Sequence, residues 1–292
     1  MNFKHIIKEI EQADASQPSG RREVLKSVGS KVALAALPFA LGSVFNKAFG
    51  QTNKTVVAAL NYMLELEYFQ YNFYHQGNNT GGLIPASDQA GFATIEAQEL
   101  AHINFLKNAI IQLGGVPFTP KGYSATAVNP NYVPTAYDFQ GAKSATYYGI
   151  FINVFSNYAT FLVAAQIFED TCIHAYQGQM PTWLTNIPIL KQMMQIQAAE
   201  ARQAGHVRLL RRLPPLSSVD LPAPWITNNI PPHVSLQPFY YREDNTAQMG
   251  LDISSLQGAT EGSTIPKLSA TAAFDEAYDM ATVNSLLAPF KL

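Results

Sequence analysis

Glu99 and His102 stand three residues apart in a stretch of helix-forming sequence. That spacing puts a carboxylate and an imidazole on one helical face, where both can reach a single point. An inward Glu-x-x-His is the ligand pair with which four-helix bundles hold iron or manganese between their helices. Near the end of the same region comes an imperfect copy, Glu200-Ala201-Arg202-Gln203, with Gln where a second His would stand.

These residues need helices to position them, and the hydrophobic spacing predicts four. Leu60, Met63, Leu64, Glu67, Tyr71 and Tyr74 recur at three- and four-residue steps over a first helix, Lys54 to about Gln76. Asn78, Asn79, Gly81 and Gly82 break it. A second helix is expected from an N-cap at Ser87 to Leu113, stopped by Gly114-Gly115. A Pro-, Gly- and Asn-rich stretch of about 25 residues follows, to Phe139, with no regular pattern. A third helix is expected over about Ala142 to Tyr176, ended by Gly178. A connection over Pro181 to Pro188 leads to a fourth, Ile189 to Leu213, closed by Pro214-Pro215. Two helical hairpins joined by one long crossover is a known connectivity of four-helix bundles.

Each predicted helix carries one acid on its apolar stripe: Glu67, Glu99 beside His102, Glu169, and Glu200 with Gln203 one turn on. A buried carboxylate without a partner is expensive, and four in one core would normally unfold a protein. Divalent cations remove that cost, and iron or manganese suits carboxylate and imidazole ligands. The opposing reading is that these acids face solvent, or are satisfied by Arg202 and buried tyrosines. His75, His174 and His206 fall away from the shared face and read as packing or surface residues.

Leu60-Asn61-Tyr62-Met63-Leu64-Glu65-Leu66-Glu67-Tyr68, Phe168-Glu169-Asp170 with Ala175-Tyr176, and Glu200-Ala201-Arg202 resemble the ferritin-like domain family that includes plant desiccation-related proteins. The resemblance covers about residues 54–213, and Ala273-Phe274-Asp275-Glu276 is similar to bacterial members. It implies an all-α chain, a ferritin-like four-helix bundle with a long crossover between helices two and three. By this resemblance Glu67 and His102 hold a first metal, Glu99 and Glu200 bridge, and Glu169 with position 203 completes a second. Gln203 departs from that pattern, because a neutral amide oxygen is a poorer ligand for Fe²⁺ than imidazole.

The 292 residues, 47% hydrophobic and 14% charged, suit a substantial packed core. A formal charge of −2 leaves no electrostatic footprint for nucleic acid. The short basic run Arg208 to Arg212 reads as a complement to a helix C-terminus. The single cysteine, Cys172, excludes an intrachain disulfide and reads as a small buried hydrophobe.

Residues 1–50 have the order of an export signal. Gly20-Arg21-Arg22-Glu23-Val24-Leu25-Lys26 precedes an apolar run from Val32 to Phe45, then Ala48-Phe49-Gly50. The paired arginines resemble a twin-arginine signal, so a periplasmic or extracytoplasmic location is expected, with membrane contact only through this segment. Removing it takes seven of the 19 basic and four of the 21 acidic residues, which leaves a mature chain of net charge −5.

Beyond residues 51–213, residues 214–292 form an arm with seven prolines between Pro214 and Pro238. Trp225, Phe239, Tyr240 and Tyr241 would be costly to expose together, so the arm is expected to cover the bundle or a partner. One last helix is expected over Ala270 to Ala288. A homo-oligomer is compatible with this reading, and no sequence feature names a protein partner. Two functions are in play: an exported bundle binding iron or manganese, or a non-catalytic structural or stress-protection bundle without metal. Chemistry at such a site would be oxidation of bound Fe²⁺ or disproportionation of peroxide.

Overall fold

The computed structural model describes residues 54–142, 147, 151–213 and 222–292. The signal-like segment lies outside the described residues. Four long helices dominate: α1 (Lys54–Asn78), α2 (Gln89–Gln112), α3 (Tyr158–Trp183) and α4 (Ile187–Arg212). α2 packs on α1, α4 on α3, and α1 on α3. The result is the all-α bundle with a long α2–α3 crossover. Among the described residues, no helix is long and apolar enough to cross a membrane.

Local chemistry sets the helix ends. Gly114, at φ +76°, closes α2: its N–H donates to Ile111 O, and Gly115 N–H donates to Ile110 O, each at 2.9 Å. The Asn157 side chain caps α3 by accepting from Thr160 N, and Asn186 caps α4 by accepting from Ile189 N. The α2 cap is Asp88 rather than Ser87. Ser87 Oγ donates to Asp88 Oδ1 at 2.8 Å, while Asp88 Oδ2 accepts from Tyr158 Oη at 2.6 Å.

α3 departs most from expectation. It begins at Tyr158, not Ala142, because the Asn157 cap fixes the start. It runs past Gly178 to Trp183 and includes Pro181, so the link to α4 shrinks to Leu184, Thr185 and Asn186. Gly178 serves a close approach rather than a stop. A Cβ there would lie 1.8 Å from the Tyr278 carbonyl oxygen, and Tyr278 N–H donates to His174 O at 3.1 Å.

Two asparagines of α1 hold the crossover along the bundle. Asn61 donates to Val116 O and accepts from Phe118 N, and Asn72 donates to Asn131 O and accepts from Val133 N. Each side chain satisfies two backbone groups of a segment with no ladder of its own. Phe69, Phe73, Phe139, Phe161, Phe168 and Phe290 make an aromatic core; the Phe73 and Phe161 rings stack with centroids 4.8 Å apart.

The C-terminal arm is mostly irregular, with a 3₁₀ turn at Val234–Tyr240 and a two-residue hairpin, β1 (Ala247–Gln248) with β2 (Leu251–Asp252). Phe239 and Tyr240 are buried, but Trp225 and Tyr241 are 57% and 63% exposed, against the expectation that all four aromatics are covered. The single last helix is in fact two, α5 (Lys267–Thr271) and α6 (Met280–Leu287). The chain breaks between them to lay Tyr278 on α3, and Asp279 caps α6 by accepting from Thr282 N at 2.7 Å.

Candidate metal centre

Side chains from three of the four long helices meet in the bundle interior. One ligand atom from each of Glu67 on α1, Glu99 and His102 on α2, and Glu200 on α4 lies within 4.8 Å of the others. His102 Nδ1 sits 3.1 Å from Glu67 Oε2, 3.1 Å from Glu200 Oε1 and 3.8 Å from Glu99 Oε2. All three carboxylates are fully buried, and only His102 keeps some exposure, 12% of its side chain. The helical spacings that brought these residues to one face therefore bring them to one point.

Glu169 on α3 is also fully buried but stands outside that tight group. Tyr74 Oη donates to its Oε1, and Oε2 has no partner. Gln203 is buried one turn beyond Glu200. Its Nε2 donates to Gln98 Oε1 at 3.0 Å, and its own Oε1 has no partner. Of the five carboxylate and imidazole candidates, four converge and Glu169 stands outside the group, while Gln203 is buried one turn on from Glu200 along α4.

Electrostatics follow from burial and mutual repulsion. Burial pushes the Glu99 carboxyl well above the usual carboxylate range, and the charges of Glu200 and Glu67 push it further. Glu169 is raised well above that range by burial, then by Glu200 and Glu99. Burial and the Glu67 charge raise Glu200. Glu67 is the exception. Burial would raise it, but the charge of His102 and the hydrogen bonds it receives, including that from Tyr176 Oη, hold it below the usual range. Burial would depress His102, and the Glu67 charge overcomes that to hold the imidazole well above its ordinary value.

One imidazole cannot offset four buried carboxylates. Both Glu99 oxygens and Glu169 Oε2 lack hydrogen-bond partners, in an interior where such atoms are normally satisfied. Carboxylate oxygens and an imidazole nitrogen are the donors that iron and manganese take. The residues present fit a divalent cation, and the cluster can hold one.

Besides Gln98, the side chains of Gln70, Tyr74 and Tyr176 bond to the candidate ligands. Gln70 Nε2 donates to Glu200 Oε2 at 2.8 Å, and the two tyrosines donate to Glu169 and Glu67. Their signal was positional. Gln70 follows Glu67 by one turn, Tyr74 by two, and Tyr176 follows Glu169 by two. Cys172 is buried against the same carboxylates, and burial followed by the Glu200 charge keeps it a neutral thiol. His75 pairs with Glu96, and His174 with the C-terminal arm, away from the cluster. His206 packs on Gly91 and Phe92.

A four-helix bundle with one long crossover and a carboxylate–imidazole cluster across its interior defines a class of helical proteins with a potential metal centre. The ferritin-like domain matches residues 55–212, spanning all four long helices, and the chain belongs to that family. No curated protein matches the chain.

Proposed function

We propose that this protein is an exported, ferritin-like metal-binding bundle that holds iron or manganese at Glu67, Glu99, His102 and Glu200. The observation that carries the reading is the buried charge imbalance: four interior carboxylates, one imidazole, and both oxygens of Glu99 without a partner. A bound divalent cation would supply redox or Lewis-acid chemistry there. The protein's own residues fix the rest. Tyr176 holds Glu67, Gln70 holds Glu200, and the surrounding helices bury the carboxylates fully and His102 nearly so.

The site reads as unequal in its two halves. Four donors converge on one side; by resemblance to the family we assign Glu169 and Gln203 to a weaker second position, in which an amide replaces imidazole. Protein purified from its own host is then expected to carry about one ion per chain, and Gln203→His to raise that toward two. Elemental analysis of both proteins is the test. Two tight ions in the wild type would contradict the unequal site, and none in either would favour the structural bundle. For export, Arg21→Lys with Arg22→Lys is expected to leave the precursor in the cytoplasm on fractionation; normal export would point to the general secretory route.

A further inference from the structure

Two stretches of the C-terminal arm close over one histidine of α3. Tyr278 N–H donates to His174 O at 3.1 Å, and the two rings stack with centroids 4.3 Å apart. The His174 imidazole donates from Nδ1 to Glu276 O at 2.7 Å. Glu243, from the other stretch, accepts from Glu276 N–H at 3.1 Å, and Tyr278 Oη donates to Tyr241 O at 2.8 Å. Glu243 and Tyr278 thus join the two stretches, and Glu276 and Tyr278 fasten them to α3.

The His174 and Glu243 side chains are fully buried, with Nδ1 3.6 Å from Glu243 Oε1, yet they do not form an ion pair. A carbonyl oxygen only accepts, so the contact with Glu276 O fixes the hydrogen on Nδ1. His174 Nε2 has no partner, and an imidazolium would leave a second N–H unsatisfied there. The imidazole therefore stays neutral, and burial lowers its pKa to about 4. Glu243 Oε2 has no partner either. The charges that face Glu243 are acidic: Asp275 and Glu276 in the arm, and Asp170 on α3. Arg208 on α4 is engaged by Asp170, Arg242 is exposed, and Lys267 lies 3.9 Å from Asp244 at the surface. Tyr278 is kept a neutral phenol by burial. A neutral carboxyl is tolerated in this place, and a carboxylate is not. Burial pushes Glu243 up to about 8 against the Glu276 hydrogen bond, and the three acids add to the rise.

We infer that Glu243 is a proton-dependent latch: its neutral carboxyl holds the C-terminal arm on α3, and its ionisation loosens residues 241–245 and 274–279 from the bundle. Linkage sets the sign. In the released arm Glu243 and His174 return to ordinary values, about 4.5 and about 6.5. Between those two values release passes a proton from Glu243 to His174, and the pair contributes no slope. Above about 6.5 His174 is neutral in both states, and release costs Glu243 its proton. The released population then rises about tenfold per pH unit and levels off above about 8. Asp275, which burial pushes up to about 6, completes its change below that window.

The test is amide hydrogen exchange of the full chain in chelator at pH 6.5, 7, 7.5, 8 and 9, corrected for the intrinsic exchange rate. The reporters are Glu276 N–H, bonded to Glu243, and Tyr278 N–H, bonded to His174. In the wild type their opening is expected to increase at least tenfold from pH 6.5 to 8 and to level off by pH 9, while amides of α1 stay protected. Glu243→Gln cannot ionise and should show no slope. Glu243→Met also loses the bond to Glu276, so its reporters should exchange faster at every pH, again without slope.

Constant opening in the wild type, or a slope that survives in both variants, would overturn the latch. An equal slope in the α1 amides would overturn it too, because the whole bundle and not the arm would then be opening. The latch needs no metal, so Mn²⁺ binding at the interior carboxylates stands or falls separately.

Discussion

Glu169 and Asp170 are neighbours on α3, both buried, and they belong to opposite kinds of polar network. Asp170 is fully compensated. Arg208 reaches it with two nitrogens, Nε at 3.3 Å from Oδ1 and Nη2 on Oδ2, and Tyr240 Oη donates to Oδ2 at 2.7 Å. Gln166 Nε2 in turn donates to Tyr240 Oη, so α3, α4 and the C-terminal arm are tied together through neutralised charge. Glu169 faces the bundle interior with one tyrosine and one empty oxygen. Buried ionic groups that only build structure bring their counter-ions in the same chain. The comparison separates a clamp, complete as folded, from a site whose charge is left for something else to balance.

The largest effect is expected from breaking the clamp. Arg208→Met leaves Asp170 buried without its cation and should destabilise the protein by about 3–5 kcal/mol in denaturant unfolding, the usual cost of orphaning one partner of a buried pair. A loss under 1 kcal/mol would mean that Asp170 takes a proton cheaply, and the contrast between the two networks would shrink.

The opposite sign is expected in the interior. Glu99→Gln removes one of the repelling carboxylates and provides a donor for its neighbours, so the metal-free protein should gain about 1 kcal/mol, within the range for satisfying a buried polar group. The same variant should lose Mn²⁺ affinity by at least a factor of ten. Destabilisation of the metal-free form would indicate that Glu99 is already satisfied and needs no cation.

A smaller effect distinguishes the networks by pH. Glu99, Glu169 and Glu200 have carboxyl pKa values raised in the folded state, so their favourable contribution is complete below the ordinary carboxylate range and is lost as pH rises through the folded values. His102, also raised, contributes fully below its ordinary value of about 6.5 and loses that contribution on further alkalinisation. Glu67 is lowered and acts in the other direction, on acidification. In the arm, burial pushes Glu243 up to about 8, which adds to the alkaline loss. The chelated protein should therefore melt at a lower temperature at pH 8 than at pH 5.5. Mn²⁺ should reverse the slope, because its ligands bind deprotonated. Parallel slopes with and without metal would contradict an interior cation site.

Much of this was legible in the sequence because helical periodicity carries it. The apolar steps around Glu67, Glu99 and Glu200 are helix-period, so placing them on stripes also placed them in one interior. What the sequence hid was set by contacts between distant segments. Gly178 reads locally as a helix stop, yet the approach of Tyr278 makes it a packing glycine within α3. Arg208 reads as one member of a basic run at a helix end, and its partner is Asp170 on a different helix. The Gln98–Gln203 bond joins residues 105 apart in the chain, and no local pattern announces it. Ala270 to Ala288 has the composition of one helix, but anchoring Tyr278 to His174 splits it in two.

Anomalous diffraction at the manganese or iron edge, from crystals grown with that ion, would locate the cation itself. A strong peak is expected enclosed by Glu67, Glu99, His102 and Glu200, with a weaker one toward Glu169 and Gln203. Crystals that hold the ion only at the protein surface, with the interior carboxylates bonded to one another through protons or water, would contradict an interior cation site.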